Sequence, residues 1–230
     1  MALIEKAQGR KVDQSPSGYT RLFGISTLGN LISKVHAACI SAGTELERFI
    51  WERVNQISDL DKFITETLHK KEDSGKIWVA IKRQIKQSKT INSKYEPDFI
   101  AFDLKLRMCY VIEVKDGDQF DTKKASGEHN TLHNFTNDIS HDLPFSTRIF
   151  MCCFHARNIE EMYIGLKGKF SKDELMTGKD LCLLLGIDYD EIIKIRTSDQ
   201  QRNLDYFINS LLYIDTIKNM IKKRLGIFKI

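Results

Sequence analysis

No apolar stretch among the 230 residues approaches the roughly 18 needed to cross a bilayer. The opening MALIEKAQGRK has no apolar core after its charges, so no export signal is expected. The expected location is the cytoplasm, with no membrane partner. Cysteines are few and irregularly spaced: Cys39, Cys109, Cys152, Cys153 and Cys182 are odd in number and sit mostly in apolar segments. They read as reduced core thiols, which excludes a disulfide framework. No internal repeat or low-complexity tract is present, and charge is not strongly one-sided. A net charge of +4 suits a polyanionic partner without identifying one.

What is present is an ordinary globular composition, 42% apolar and 29% charged, in a chain long enough for one substantial α/β core with a modest appendage. The most informative stretch is PDFIAFDLKLRMCYVIEVKDG, Pro97 to Gly117. Phe99–Phe102 and Met108–Val114 are short apolar runs that read as strands buried on both faces. Asp103 to Arg107 between them suits a hairpin loop. An antiparallel pair turning about Lys105 and Leu106 sets Asp98 opposite Glu113, Ile100 opposite Val111 and Phe102 opposite Cys109. Side chains alternate along a strand, so Lys115 shares the face of Glu113 and Asp98, while Asp103 and Asp116 fall on the other.

Two carboxylates and an ammonium thus converge at one hairpin end. Neighbouring carboxylates raise each other's pKa unless a cation lies between them. A hard cation such as Mg²⁺ resolves the conflict and keeps waters for a phosphate substrate, and Lys115 can orient the attacking water. The arrangement reads as a phosphodiesterase site. The competing account is a hairpin whose charged ends are merely solvated.

Pro97-Asp98, followed after fourteen residues by Glu113-Val114-Lys115, resembles the PD-(D/E)xK nuclease superfamily, and within it the type II restriction endonucleases. The resemblance implies a restriction-endonuclease-like α/β core, with a mixed central sheet flanked by helices, plus a helical C-terminal region. It implies Mg²⁺-dependent hydrolysis of DNA phosphodiesters, with Asp98, Glu113 and the Val114 carbonyl as metal ligands and Lys115 on the water. A glutamate from the helix preceding the meander often joins such sites, and Glu47 is the candidate. Double-stranded DNA is the expected partner, and cleavage at a symmetric site favours a homodimer. A repair, recombination or structure-directed nuclease on the same core is the alternative. A catalytically silent DNA-binding module is a third reading.

The expected organisation is a single domain with an irregular arm over residues 1–20, a catalytic core over 44–157 and a helical region over 158–230. Lys6, Arg10, Lys11 and Arg21 are candidate phosphate contacts in or beside the arm. A first helix is expected from Leu28 to Ser41, ending near Gly43. A second should begin with Thr44 as N-cap and Glu47 as its capping-box partner, a role that competes with metal binding. Helix is also expected from Asp59 to Lys71, with a loop to Gly75.

The strand over Ile77–Ile81 is expected to continue through Lys86. Lys82, Lys86 and Lys94, with Arg83 and Lys89, then form a basic rim that grips DNA phosphates or protects a solvated edge. Lys123 and Lys124 are further phosphate contacts in a loop leaving Lys115.

Ser126 to Asn137 should be helical, with His129 and His133 four apart but no third ligand in view. Arg148 to His155 reads as a buried strand. Helices are expected over Ile159–Leu166, Ser171–Leu185, Tyr189–Ile195 and Asn203–Arg224, the last with an apolar face for core or dimer packing. Gly165-Leu-Lys-Gly-Lys169 lacks the spacing of a phosphate-binding loop.

Overall fold

The computed structural model describes residues 2–9, 17–68 and 75–226. The helices are α1 Gly18–Phe23, α2 Ser26–Trp51, α3 Leu60–Thr67, α4 Lys82–Gln87, α5 Thr122–Ile139, α6 Ile159–Gly165, α7 Gly178–Leu185, α8 Tyr189–Leu212 and α9 Asp215–Arg224. The strands are β1 Asn55–Gln56, β2 Ile77–Ile81, β3 Phe99–Asp103, β4 Met108–Lys115, β5 Ser146–Cys153 and β6 Leu175–Thr177. No described helix is long and apolar enough to cross a membrane. The chain forms two compact units, one of Met1–Glu45 with Asp190–Ile230, the other of Leu46–Tyr189.

The second unit is built on a mixed six-stranded sheet in the order β1-β2-β3-β4-β5-β6. Strands β2, β3 and β4 form an antiparallel meander, whereas β1 joins β2, β5 joins β4 and β6 joins β5 in parallel. Ile100 pairs with Val111 and Phe102 with Cys109, the register expected from the sequence. Asp103 and Arg107 close the loop: the Asp103 carboxylate accepts the Leu106 amide at 2.9 Å, and Arg107 takes a left-handed φ of 55°.

Both faces of β3 and β4 are covered. Phe99, Ile100, Ala101 and Phe102 have no exposed surface, which explains why this strand reads as a continuous apolar run instead of an alternating one. Ile100, Phe102, Cys109, Val111 and Met151 share a core with Leu60 and Ile64 of α3 and with Leu132, Phe135 and Ile139 of α5. Full burial of each large side chain stabilises the fold by about 1.5–3 kcal/mol. Asp98 and Glu113 have the same strand parity as these residues, so the acids cap the end of the core-bearing face.

Several local expectations are corrected. Residues 26–51 form one helix, so Gly43 does not end one and Thr44 does not cap another. Gly43 is tolerated within a helix, at a cost of about 1 kcal/mol relative to Ala. The strand at Ile77 stops at Ile81, and Lys82–Gln87 turn into α4. The Gln84 side chain accepts the Ile81 amide at 3.3 Å, satisfying a donor that helix starts leave orphaned. Helix α3 starts as expected, with Asp59 accepting the Lys62 amide at 3.0 Å, but ends at Thr67. The loop expected from Lys70 lies largely outside the described residues.

Thr122 to Lys124 belong to α5, capped by Asp121, and not to a loop. The single helix expected over Ser171–Leu185 resolves into a 3-10 turn at Lys172–Glu174, strand β6 and helix α7. Thr177 caps α7, accepting the Asp180 amide at 3.3 Å. Strand β6 is only three residues long, too short for alternation to reveal.

In the first unit, Leu3 and Ile4 of the segment expected as an irregular arm are buried, and Ile4–Lys6 form a 3-10 turn. Asn203 holds that turn, accepting the Ile4 amide at 2.8 Å and donating to the Ala2 carbonyl at 2.9 Å. Ile4, Leu31 and Ala38 pack together with Tyr206, Phe207 and Leu211. Arg10 and Lys11 lie outside the described residues. The two C-terminal helical segments expected from sequence are a longer α8 and a separate α9. Asp199 of α8 is buried, yet neither carboxylate oxygen has a hydrogen-bond partner among the described residues.

Candidate active site

The antiparallel register brings Asp98 beside Glu113, and backbone donors fix both. The Asp98 amide donates to Glu113 Oε2 at 3.2 Å, while the Val114 amide donates to Asp98 Oδ2 at 2.8 Å. Each acid is therefore held by the backbone of the other's strand. Only 2% of Asp98 and 6% of Glu113 is exposed, which rules out solvated strand ends. Lys115, two residues along the same face, donates from Nζ to Glu113 Oε1 at 2.5 Å.

Burial, then the neighbouring Asp98, pushes the Glu113 carboxyl up to about 7. Burial works against the charge of Lys115, but Glu113, Glu128 and Asp98 outweigh it and hold its pKa above the ordinary lysine value. Two buried acids crowded at one point, one of them unwilling to ionise, are a site that a divalent cation suits. The donor set is oxygen-rich: Asp98, Glu113 and the adjoining Val114 backbone.

Lys82 was expected on a phosphate-gripping strand edge. It instead lies in the first turn of α4 and hydrogen-bonds through Nζ to Asp98 Oδ1. Burial opposes its charge, but the bond to Asp98 and the nearby Glu113 and Glu47 raise its pKa. The switch from strand to helix after Ile81 is what turns this side chain toward the acids.

Glu47, on α2 and half-buried, lies within electrostatic reach of Asp98, Lys82 and Lys115. Burial and then Asp98 raise its carboxyl pKa. Because the helix runs straight through Thr44, the capping role expected for Glu47 is overturned, and its carboxylate is not engaged as a helix cap.

Glu128 of α5 joins the site as well. Its Oε1 lies 3.1 Å from Lys115 Nζ, so the lysine is shared between two carboxylates. No local motif marks it; only the packing of α5 on the sheet brings it there. The remaining basic candidates make other contacts. Lys86 pairs with Glu96 at 2.9 Å. Lys94 and Lys124 lie over the rings of Tyr95 and Phe120. Lys123 is exposed in the first turn of α5.

The chain leaving Lys115 is anchored. The Phe154 amide donates to the Lys115 carbonyl at 2.8 Å, and the Phe120 amide to the Gly165 carbonyl at 3.2 Å. A Cβ at Gly165 would fall 2.0 Å from the Asp118 carbonyl oxygen, so only glycine allows that loop to dock.

No family model matches the chain, and no solved structure matches it. Among curated proteins, the type II restriction enzyme HhaII of Haemophilus parahaemolyticus is 39% identical over 227 residues, covering 97% of this chain and 99% of HhaII. Such identity over nearly the whole of both chains is decisive: this chain belongs to the family of type II restriction enzymes that includes HhaII.

Proposed function

We propose that this restriction endonuclease hydrolyses DNA phosphodiesters with Mg²⁺ at a specific duplex sequence, through a PD-(D/E)xK site. The observation that carries the reading is the meeting of Asp98, Glu113 and Lys115 at one buried strand end. Asp98, Glu113 and the Val114 carbonyl would hold the ion, with Glu47 completing the shell. When bound, Mg²⁺ supplies charge neutralisation at the scissile phosphate and acidifies water.

The protein's own groups do the rest. Lys115 orients the attacking water with its ammonium. Glu128 and Glu113 fix where that ammonium points. Lys82, which hydrogen-bonds to Asp98, would be free to contact the substrate phosphate if Asp98 held the cation. Lys86, Lys94, Lys123 and Lys124 supply sequence-independent phosphate contacts, which position the duplex without reading it.

Two strands at a symmetric site call for two active centres, so the working form is a homodimer in the cytoplasm. The exposed stripe of Leu204, Ile208 and Leu212 along α8 supports an apolar seam for it. Incubating the protein with a long plasmid and Mg²⁺, with a chelator control, and sequencing the ends tests the reading. Discrete limit fragments sharing one end sequence are expected. Smeared products, or cleavage confined to branched or damaged DNA, would overturn the sequence-specific assignment.

A further inference from the structure

We propose a second metal site, built from His129, His133 and Glu174 and suited to a borderline transition-metal ion such as Zn²⁺. The two histidines are one turn apart on α5, so their rings lie together on one face, centroids 4.2 Å apart and planes inclined at 52°. The third ligand, absent from the local sequence, arrives from the 3-10 turn before β6. Glu174 Oε1 lies 3.1 Å from His133 Nε2, and Glu174 Oε2 lies 3.9 Å from His129 Nε2. One ligand atom from each of the three residues can be chosen so that all lie within 4.8 Å of one another.

The site is partly organised in advance. Glu174 Oε2 accepts the Ser171 amide at 2.8 Å, which fixes the carboxylate and directs Oε1 at His133. Hydrogen bonds of this kind behind a ligand orient it and tune its affinity. The His129 ring stands edge-on to the buried Phe170, with centroids 5.0 Å apart. Tetrahedral zinc with bonds of about 2.1 Å sets its ligands roughly 3.4 Å apart. The His133–Glu174 pair, at 3.1 Å, already has about that spacing, and the remaining separations are all within 4.8 Å. The three side chains are 29%, 44% and 19% exposed, which leaves an entry path and room for water as fourth ligand.

Two imidazoles and one carboxylate favour zinc, cobalt or nickel, whereas the oxygen-only set at Asp98 and Glu113 favours magnesium. The two centres therefore select different ions. They share α5, since Glu128, next to His129, contacts Lys115. An ion at the histidines would fasten the Lys172–Glu174 turn to the helix that carries Glu128.

The test is a titration of untagged, chelator-stripped protein with Zn²⁺, followed by calorimetry and by ¹⁵N NMR of the imidazoles. Two of the six histidine rings should shift, with submicromolar to micromolar binding of one ion. The double variant His129→Gln/His133→Gln should bind Zn²⁺ at least tenfold more weakly, and Asp98→Asn should bind it as the wild type does. The imidazole spectra of the wild type decide the matter even if the histidine variants fail to fold. No ring shift on adding Zn²⁺, unchanged affinity in the histidine variant, or loss of zinc binding in Asp98→Asn would each overturn the site.

Discussion

Lys82 donates a hydrogen bond to Asp98, so an ammonium occupies one oxygen of the carboxylate best placed to bind a metal. A cation held there as proposed would compete with the lysine for that oxygen. In Lys82→Met that competition would end, and removing a neighbouring like charge should tighten Mg²⁺ binding by about tenfold. If Lys82 also serves the phosphate, kcat should fall in the same variant. Measuring cleavage rate against Mg²⁺ concentration separates the two effects, and unchanged half-saturation would remove Lys82 from the metal's surroundings.

Asp98→Asn and Glu113→Gln should each lower cleavage on the order of 10³-fold or more, because several kcal/mol of charge stabilisation would depend on the ion proposed for them. Glu47→Gln should cost less, since Glu47 is half-buried on a separate element. Single-turnover rates on a plasmid, with circular dichroism to verify folding, check this. Full activity in either strand variant would dismantle the assignment.

Glu113 carries a pH signature. Its folded pKa, about 7, lies above the ordinary value of 4.5, so the folded state holds a proton that the unfolded state releases. The associated stability is present below about pH 4.5 and is lost as pH rises through about 7. Metal-free protein should therefore weaken between those values, and Mg²⁺ affinity should climb across the same interval as the carboxyl ionises. Glu113→Gln should flatten this part of the stability profile. Denaturant midpoints measured from pH 4.5 to 8 with chelator present will show whether it does.

Asp199 bears a cost with no visible return: a buried carboxylate without a hydrogen-bond partner among the described residues. Asp199→Leu should raise stability by about 1–3 kcal/mol, the usual penalty for such a group. A lower melting temperature would mean that the carboxylate has a role to which its surroundings give no clue.

The sequence was legible where one local rule dominates. Continuous apolar runs marked β3 and β4, and period-two geometry placed Asp98, Glu113 and Lys115 on one face, with the register observed at Ile100–Val111 and Phe102–Cys109. It misled where two rules compete. Lys82 to Lys86 alternate like an edge strand, but the Gln84 side chain bonded to the Ile81 amide starts a helix instead. Thr44 and Glu47 match a capping box, but the helix that began at Ser26 simply continues through them. Glu128 and Glu174 were out of reach for a different reason. Their partners are 13 and 41 residues away in the chain, counted to Lys115 and His133, and only tertiary packing brings them together.

The hairpin between β3 and β4 also acts as a gauge. Its four-residue link, Leu104 to Arg107, fixes by count alone which atoms face each other fifteen positions apart. One residue inserted there could leave every strand paired and the core nearly as well filled, yet send one acid to the opposite side of the sheet. Chain length in that short turn is thus as much a part of the chemistry as the carboxylates themselves.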